Sequence, residues 1–183
     1  MPAERTVRQL KVRAPDAALA RHARVLLEDA LRTASLPGEG AAMVLVRRMV
    51  LPPFRGSATP QTVALALEER CRTLTIFPLR ADATEDEIAG AIAVRFRDPF
   101  HAHCELCARL LRGEALRAWC WPMAVPGYRA GMTLAQALRA AALSLAVRQE
   151  AAAALPAWLD EVVEKGGGVP LIDALSMADA ELL

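Results

Sequence analysis

Hydrophobic and polar positions divide the chain into a first part with mixed patterns and a second part with helical spacing. From Thr84 onward, apolar residues recur every three or four positions, which predicts a succession of helices. The first part instead has β-rich runs between helices. The pattern therefore predicts an α+β fold that is mostly α. Residues 1–80 form an α/β unit in the order strand-helix-strand-helix, and residues 81–183 form an all-helical unit that shares its core.

Proline, capping residues and apolar spacing set the boundaries of the predicted elements in the first part. They are a strand from Arg5 to Arg13, a helix from Ala17 to Thr33 capped by Asp16, a strand from Ala42 to Leu51, and a helix from Pro60 to Thr73 capped by Thr59. The composition of Thr75-Ile76-Phe77 predicts a further short extended piece.

The second part is divided by similar signals. Its predicted elements are a helix from Glu85 to Arg97 begun by the capping box of Thr84 and Glu87, a helix from Asp98-Pro99 to Gly113, a helix capped by Thr133, a helix from Pro156 to Gly166-Gly167-Gly168, and a last turn after Ser176.

Composition limits the class of protein. The chain has 183 residues, of which 54% are hydrophobic and 23% charged, so it can bury a core and should fold. The longest apolar run, Ala140 to Val147, is far shorter than the about 20 residues of a membrane span, and no signal peptide is recognisable. We therefore expect no membrane association. Four cysteines without a secretion signal predict reduced thiols and a cytoplasmic location.

Charge is balanced overall but unevenly distributed. The net charge of +1 gives no general electrostatic reason for a nucleic-acid partner. From Met1 to Arg55, however, ten basic residues stand against five acids, whereas Glu150 to Leu183 has seven acids and only Lys165 as a base. A nucleic-acid-binding module that uses the basic start is thus one alternative. Because nearly all the basic residues are arginine in an alanine-rich chain, we give this charge little weight as a nucleic-acid signal.

Metal-ligating residue types are concentrated in one predicted helix, at His101, His103, Cys104 and Cys107. Cysteines at i and i+3 share a helix face and could hold one zinc ion with a histidine. A structural zinc site normally has a second ligand pair, which this sequence lacks. The alternative is that the cysteines are small apolar residues in a buried stripe. We favour the buried stripe, and keep a small metal-binding or thiol-dependent protein as an alternative function.

Three aromatic and two basic residues are the candidate contact residues. Trp119, Trp121 and Tyr128 surround a proline-glycine turn, where large aromatics either fill a core or form an interface. Arg47 and Arg48 interrupt the second predicted strand without neighbouring aromatics, which favours a solvated or edge-protecting role. All five are candidate interface residues.

No motif for catalysis is recognisable. None of the serines lies in a G-x-S-x-G elbow, and Gly166-Gly167-Gly168 lacks the lysine and the strand-to-helix context of a phosphate loop. We therefore predict a non-enzymatic protein with no catalytic residues and no cofactor.

Five segments carry residue patterns of a known group of proteins. They are Leu27-Glu28-Asp29-Ala30-Leu31, Leu36-Pro37, Val46-Arg47-Arg48, Arg95-Phe96-Arg97-Asp98 and Ala118-Trp119-Cys120-Trp121-Pro122-Met123-Ala124-Val125-Pro126-Gly127. Together they resemble small proteins associated with phage-tail-like contractile injection systems, some of them related to the tape measure. The resemblance implies a role in assembling or measuring a tube-and-sheath machine, with tail-tube, sheath or baseplate components as partners. The chain departs from a tape measure because it lacks a long continuous helix.

The two predicted strands imply a contact surface. An isolated strand pair is marginal, and helices can cover its faces but cannot pair its open edges. We expect those edges to accept a strand from a partner or from a second copy, giving a homo-oligomer. Basic residues on the strands would then meet an acidic surface, such as the segment from Glu150 to Leu183 of a neighbour.

Overall fold

The computed structural model describes residues 5–36, 42–148, 150–180 and 182, which belong to two units. The described residues of unit 1 are 5–36 and 48–75, and those of unit 2 are 42–47 and 76–182 except 149 and 181. This division differs from the boundary that we placed after residue 80. The difference arises because the strand near residue 45 pairs within unit 2.

Unit 1 is a pair of helices, α1 (Ala17–Thr33) and α2 (Pro60–Thr73), and both agree with the prediction. Asp16 accepts a hydrogen bond from the backbone N–H of Leu19, and Thr59 accepts one from Thr62. These caps satisfy N–H groups that a helix start leaves without partners. The buried residues between the helices are small or branched, and they are Ala30, Ala34, Val63, Ala64 and Leu67.

The strand predicted from Arg5 to Arg13 is wrong, since this segment forms no regular structure. Its apolar residues do not alternate cleanly, and the strand near residue 45 pairs with a different part of the chain. The segment instead lines a groove together with α1. The Arg5 guanidinium donates a hydrogen bond to the Leu31 carbonyl near the end of that helix.

Unit 2 contains a three-stranded sheet of β1 (Met43–Val46), β2 (Ile76–Pro78) and β3 (Ala93–Phe96). The order is β1-β3-β2, with β1 antiparallel and β2 parallel to β3. The second predicted strand is thus confirmed but is shorter than 42–51. The extended piece predicted near Ile76 is confirmed as β2.

β3 corrects the prediction of one helix from Glu85 to Arg97. The capping box of Thr84 and Glu87 is present, but the helix ends at Gly90 and the chain becomes extended at Ala91. Val94 and Phe96 are fully buried while Arg95 between them is exposed, which is the alternation of a strand. The unit is therefore not helical throughout.

The remaining elements of unit 2 are helices that follow one another closely. They are α3 (Glu85–Gly90), α4 (Pro99–Leu111), α5 (Trp121–Ala124), α6 (Leu134–Ala146), α7 (Ala151–Glu164), α8 (Gly168–Ala174) and α9 (Met177–Ala180). The predictions of α4, of α6 and of a last turn after Ser176 are confirmed. α7 begins at Ala151, so the predicted start at Pro156 is wrong. Gly166, with φ of +82°, ends α7 as predicted.

The predicted fold class is confirmed, because the chain is mostly α-helical with one small sheet. The core of unit 2 lies between the sheet and helices α4 to α8, and its largest fully buried apolar residues are Trp121, Trp158, Phe96, Ile88, Leu106, Leu138 and Leu145. None of the helices described is both long and apolar enough to cross a membrane.

Candidate functional site

Helix α4 carries the four residues that we considered as metal ligands. Asp98 caps it by accepting a hydrogen bond from the backbone N–H of His101 at 2.6 Å, and Pro99 occupies the first helical position. Gly113, with φ of +81°, follows its end. His103, Cys104 and Cys107 are all buried, so α4 lies inside unit 2 rather than on its surface.

His103 connects α4 to α6 through both of its ring nitrogens. Nδ1 lies 2.8 Å from the Pro99 carbonyl oxygen, and Nε2 lies 3.1 Å from Ser144 Oγ. A carbonyl can only accept, so in the neutral ring Nδ1–H donates to Pro99 and Nε2 accepts from the Ser144 hydroxyl. Burial lowers the pKa of His103, although the hydrogen bond to Pro99 opposes this shift. The histidine is therefore neutral at physiological pH and has no nitrogen left for a metal.

The pair of His103 and Ser144 resembles part of a hydrolase triad, but it lacks two required features. No carboxylate orients Nδ1, because the Pro99 carbonyl occupies that position. Ser144 is only 7% exposed and His103 is fully buried, so a substrate cannot reach the hydroxyl. The pair is a structural connection between helices.

Cys104 and Cys107 face α7, whereas His103 faces α6. They pack with Trp158, Glu161 and Lys165, and these side chains leave no space for a water molecule between them. Burial raises the pKa of the Cys104 thiol, and its hydrogen bond to the Glu161 carboxylate raises that pKa further. Burial also raises the pKa of Cys107 to about 12, and the Trp158 indole N–H only partly opposes this shift.

Glu161 and Lys165 form an ion pair beside these thiols, with Nζ 2.7 Å from Oε1. Burial alone would raise the pKa of Glu161, but the hydrogen bonds from Cys104 and Lys165 lower it overall. The negative carboxylate therefore disfavours a thiolate at Cys104. Nucleophilic and metal-binding cysteines need the opposite environment, one that stabilises the thiolate.

The metal-site alternative required His101, His103, Cys104 and Cys107 to converge, and the structure does not bring them together. Across residues 5–36, 42–148, 150–180 and 182, no group of three or more His, Cys, Asp or Glu side chains could hold a metal ion. The two cysteines form the buried stripe that we favoured.

The segment from Trp119 to Tyr128 is fixed in place by polar contacts. Glu85, at the start of α3, accepts hydrogen bonds from the backbone N–H groups of residues 117 and 118 and from Trp121 Nε1. Trp119 Nε1 donates to the Ala91 carbonyl at 3.0 Å, and Tyr128 Oη donates to the Leu116 carbonyl at 2.8 Å. Each buried aromatic donor here has an acceptor.

Burial decides which aromatic residues could meet a partner. Trp121 is fully buried and Tyr128 is 3% exposed, so both belong to the core and the interface interpretation does not apply to them. Trp119 is half-buried. Arg47 and Arg48 are exposed after β1, and Arg47 Nη1 donates to the Ala89 carbonyl at 3.3 Å.

Sequence reasoning missed an ion pair that anchors α9. Arg139 Nε and Nη2 donate to the two carboxylate oxygens of Asp179 at 2.8 and 2.7 Å. Asp179 also accepts from Ser176, the cap of that helix. The hydrogen bonds from Arg139 and Ser176 hold the pKa of Asp179 below its usual range. Arg139 and Asp179 are 40 residues apart, so no pattern of neighbouring residues in the sequence indicates this ion pair.

Comparison with protein-family models, curated proteins and solved structures found no match for the chain. The assignment of a function therefore depends on the geometry and the sequence patterns alone.

We predict that none of the four native thiols reacts rapidly with DTNB at about pH 8 while the protein is folded, because all four are buried and burial raises their pKa values. All should react in denaturant. A Ser57→Cys variant, with its thiol at an exposed position, is the positive control and should react in the folded state. One rapidly reacting native thiol would contradict the structural role given to the cysteines.

We also predict that acid destabilises the protein through His103. Its folded pKa is lowered, so below the unfolded pKa of about 6.5 the unfolded chain binds a proton that the folded chain does not. The unfolding free energy is therefore highest at neutral pH with respect to this group. It decreases as the pH is lowered, by at most about 1.4 kcal/mol per pH unit. Chemical denaturation at about pH 7.5 and 5.5 measures it.

His103→Gln should show a smaller difference in unfolding free energy between the two pH values, whatever its stability at neutral pH. His22→Gln, at an exposed site on α1, is the matched control and should leave the difference unchanged. An equal pH dependence in wild type and His103→Gln would refute the assignment.

Proposed function

We propose that the chain is a non-enzymatic structural or assembly protein that acts through protein–protein contacts in a phage-tail-like contractile injection apparatus. The apparatus comes from the sequence resemblance. The mode of contact comes from one observation, which is that no strand of the described residues pairs with the outer edge of β1. The proposed place of action is the cytoplasm, where the four reduced cysteines would persist.

The outer edge of β1 follows from its register with β3. Met43 pairs with Phe96 and Leu45 with Val94, and the Arg47 N–H donates to the Ile92 carbonyl at 2.9 Å. In an antiparallel pair, alternate residues exchange backbone hydrogen bonds with the neighbour. Residues 43, 45 and 47 therefore bond to β3, and the N–H and C=O groups of Val44 and Val46 point away from it.

Within the described sheet, β1 is an edge strand that no further strand pairs. Val44 and Val46 are half-buried, so a partner strand would also find apolar side chains there. Unpaired backbone groups on such an edge are a template for strand addition. This edge is the proposed contact surface.

The opposite edge of the sheet is protected in a way that β1 is not. The Leu79 N–H donates to the Arg95 carbonyl beside β3, so the alternate residues Ile76 and Pro78 face outward from β2. Proline has no N–H to offer a partner. The contrast between the two edges supports β1 as the edge that binds.

The charge at the end of β1 favours an acidic partner. Arg47 and Arg48 are exposed directly after the strand. A strand with acidic flanks would be attracted to them, and the attraction would weaken as salt screens it. A tail-tube, sheath or baseplate component is the proposed partner, and a second copy of the chain is the alternative occupant.

The thiols and the imidazole of α4 are buried and take part in packing and hydrogen bonds. This supports a contact function over the thiol-dependent alternative. Cys104 and Cys107 are buried with raised pKa values, and His103 is neutral with both nitrogens bonded. Nucleic-acid binding has no comparable support, because no aromatic residue on which bases would stack lies within five positions of Arg47 and Arg48 in the sequence.

The experiment is co-purification from the native host with tagged wild type, Val46→Pro and Val46→Ala. Proline removes the outward N–H of an edge residue without breaking a bond to β3, whereas alanine keeps that donor. We predict that wild type and Val46→Ala recover injection-apparatus components and that Val46→Pro recovers at least about tenfold less, which corresponds to the loss of about one good hydrogen bond.

Circular dichroism and thermal unfolding should show that Val46→Pro is still folded. Unchanged recovery of the components by a folded Val46→Pro would refute strand addition at β1. Recovery of nucleic acid in place of apparatus proteins would contradict the proposed function itself.

A further inference from the structure

Unit 1 presents an apolar groove with a basic rim, here called the basic groove. It has a volume of about 460 Å³ and lies between residues 7–12 and α1. Val7, Leu10 and Val12 line it and are 48%, 43% and 38% exposed, which is high for a run of branched apolar side chains. Arg21, Arg24 and Glu28 also line it, and Arg24 is paired with Glu28 at 3.0 Å. Over residues 5–36 the chain has seven basic residues against three acids, so the charge around the groove is still net positive.

Unit 2 carries a surface of complementary chemistry at its end, here called the acidic end. Val163, Val169, Ile172 and Met177 are 61%, 71%, 71% and 87% exposed. Val169 and Ile172 are one helical turn apart on α8, and the Val163 side chain lies against Gly168 at the start of that helix.

Exposed carboxylates lie on the same two helices, at Asp160 and Glu164 on α7 and at Asp173 on α8. Lys165, the one base in this region, is already paired with Glu161. The acidic end therefore combines apolar side chains with net negative charge, and the basic groove combines apolar side chains with net positive charge.

We propose that the basic groove of one copy binds the acidic end of a second copy. Apolar contact would supply affinity, and opposite charge would supply orientation and a faster encounter. Such a contact joins two different surfaces, so each copy can bind one neighbour through its basic groove and another through its acidic end. The chain then assembles head to tail into longer oligomers, which a symmetric contact through one surface would not produce.

This inference deepens the proposed assembly function by naming a second copy as a partner, but its test uses purified protein alone. Sedimentation velocity of wild type should show concentration-dependent oligomers beyond the dimer, and they should dissociate as salt rises. Val46→Pro should assemble like wild type, because the β1 edge takes no part in this contact. If purified wild type does not self-associate, only this inference is refuted, and the co-purification experiment still decides the proposed function.

Two variants separate the surfaces. Leu10→Asp changes the basic groove at an exposed position without regular structure, and Ile172→Asp changes the acidic end at a 71% exposed position. Each alone should be monomeric, with self-association weaker by about tenfold or more, because a carboxylate would enter an apolar contact. Val147→Asp, at an 80% exposed site outside both surfaces, is the matched control and should assemble like wild type.

Mixing the two variants gives the decisive result. Leu10→Asp keeps its acidic end and Ile172→Asp keeps its basic groove, so the mixture should form a heterodimer and stop there. Circular dichroism establishes that each variant is folded, and the heterodimer itself shows that each retains one working surface. A wild type that is monomeric at all concentrations, variants that assemble alone, or folded variants that do not pair in the mixture would each overturn the proposal.

Discussion

The structure of unit 2 depends on one buried charge, the guanidinium of Arg109. This side chain is 1% exposed, and leaving such a charge without partners would cost several kcal/mol. Nη1 donates to the Ala83 carbonyl at 2.7 Å and to Glu114 at 3.1 Å, and Nη2 donates to the Arg80 carbonyl at 3.0 Å. Arg109 lies on α4, and these partners lie in the loop after β2 and in the segment after α4. The guanidinium therefore holds both segments against the helix.

Polar chemistry elsewhere in unit 2 is used in the same way. Glu85 fixes the segment that carries Trp121, whose ring packs edge-on against Phe96 and lies 6.0 Å from the Arg109 guanidinium. His103 joins α4 to α6. These polar groups therefore hold helices together, and the contact surfaces that we propose are the β1 edge, the basic groove and the acidic end.

Local signals explain which parts of the fold could be predicted from the sequence. Asp16, Asp98 and Thr133 each cap the helix that follows them, so α1, α4 and α6 were predictable from a few neighbouring residues. β3 was not predictable, because the apolar residues from Ile88 to Phe96 also fit the spacing of a helix. The segment Ala93–Phe96 is a strand because it pairs with β1 and β2. The metal hypothesis failed for a related reason. Adjacent helix positions point in different directions, so His103 meets α6 and Cys104 meets α7.

The most direct test of this account is the unfolding free energy of Arg109→Met, measured by chemical denaturation. Methionine keeps much of the volume, but it leaves the Ala83 carbonyl without its donor, removes the cation beside the largely buried Glu105 and leaves Glu114 with Arg112 alone. We therefore predict a loss of about 3–5 kcal/mol. Arg112→Met is the matched control. Arg112 pairs with the same carboxylate but is 49% exposed, and its loss should be at most about 1 kcal/mol. A loss for Arg109→Met no larger than that for Arg112→Met would contradict the central role of the buried guanidinium.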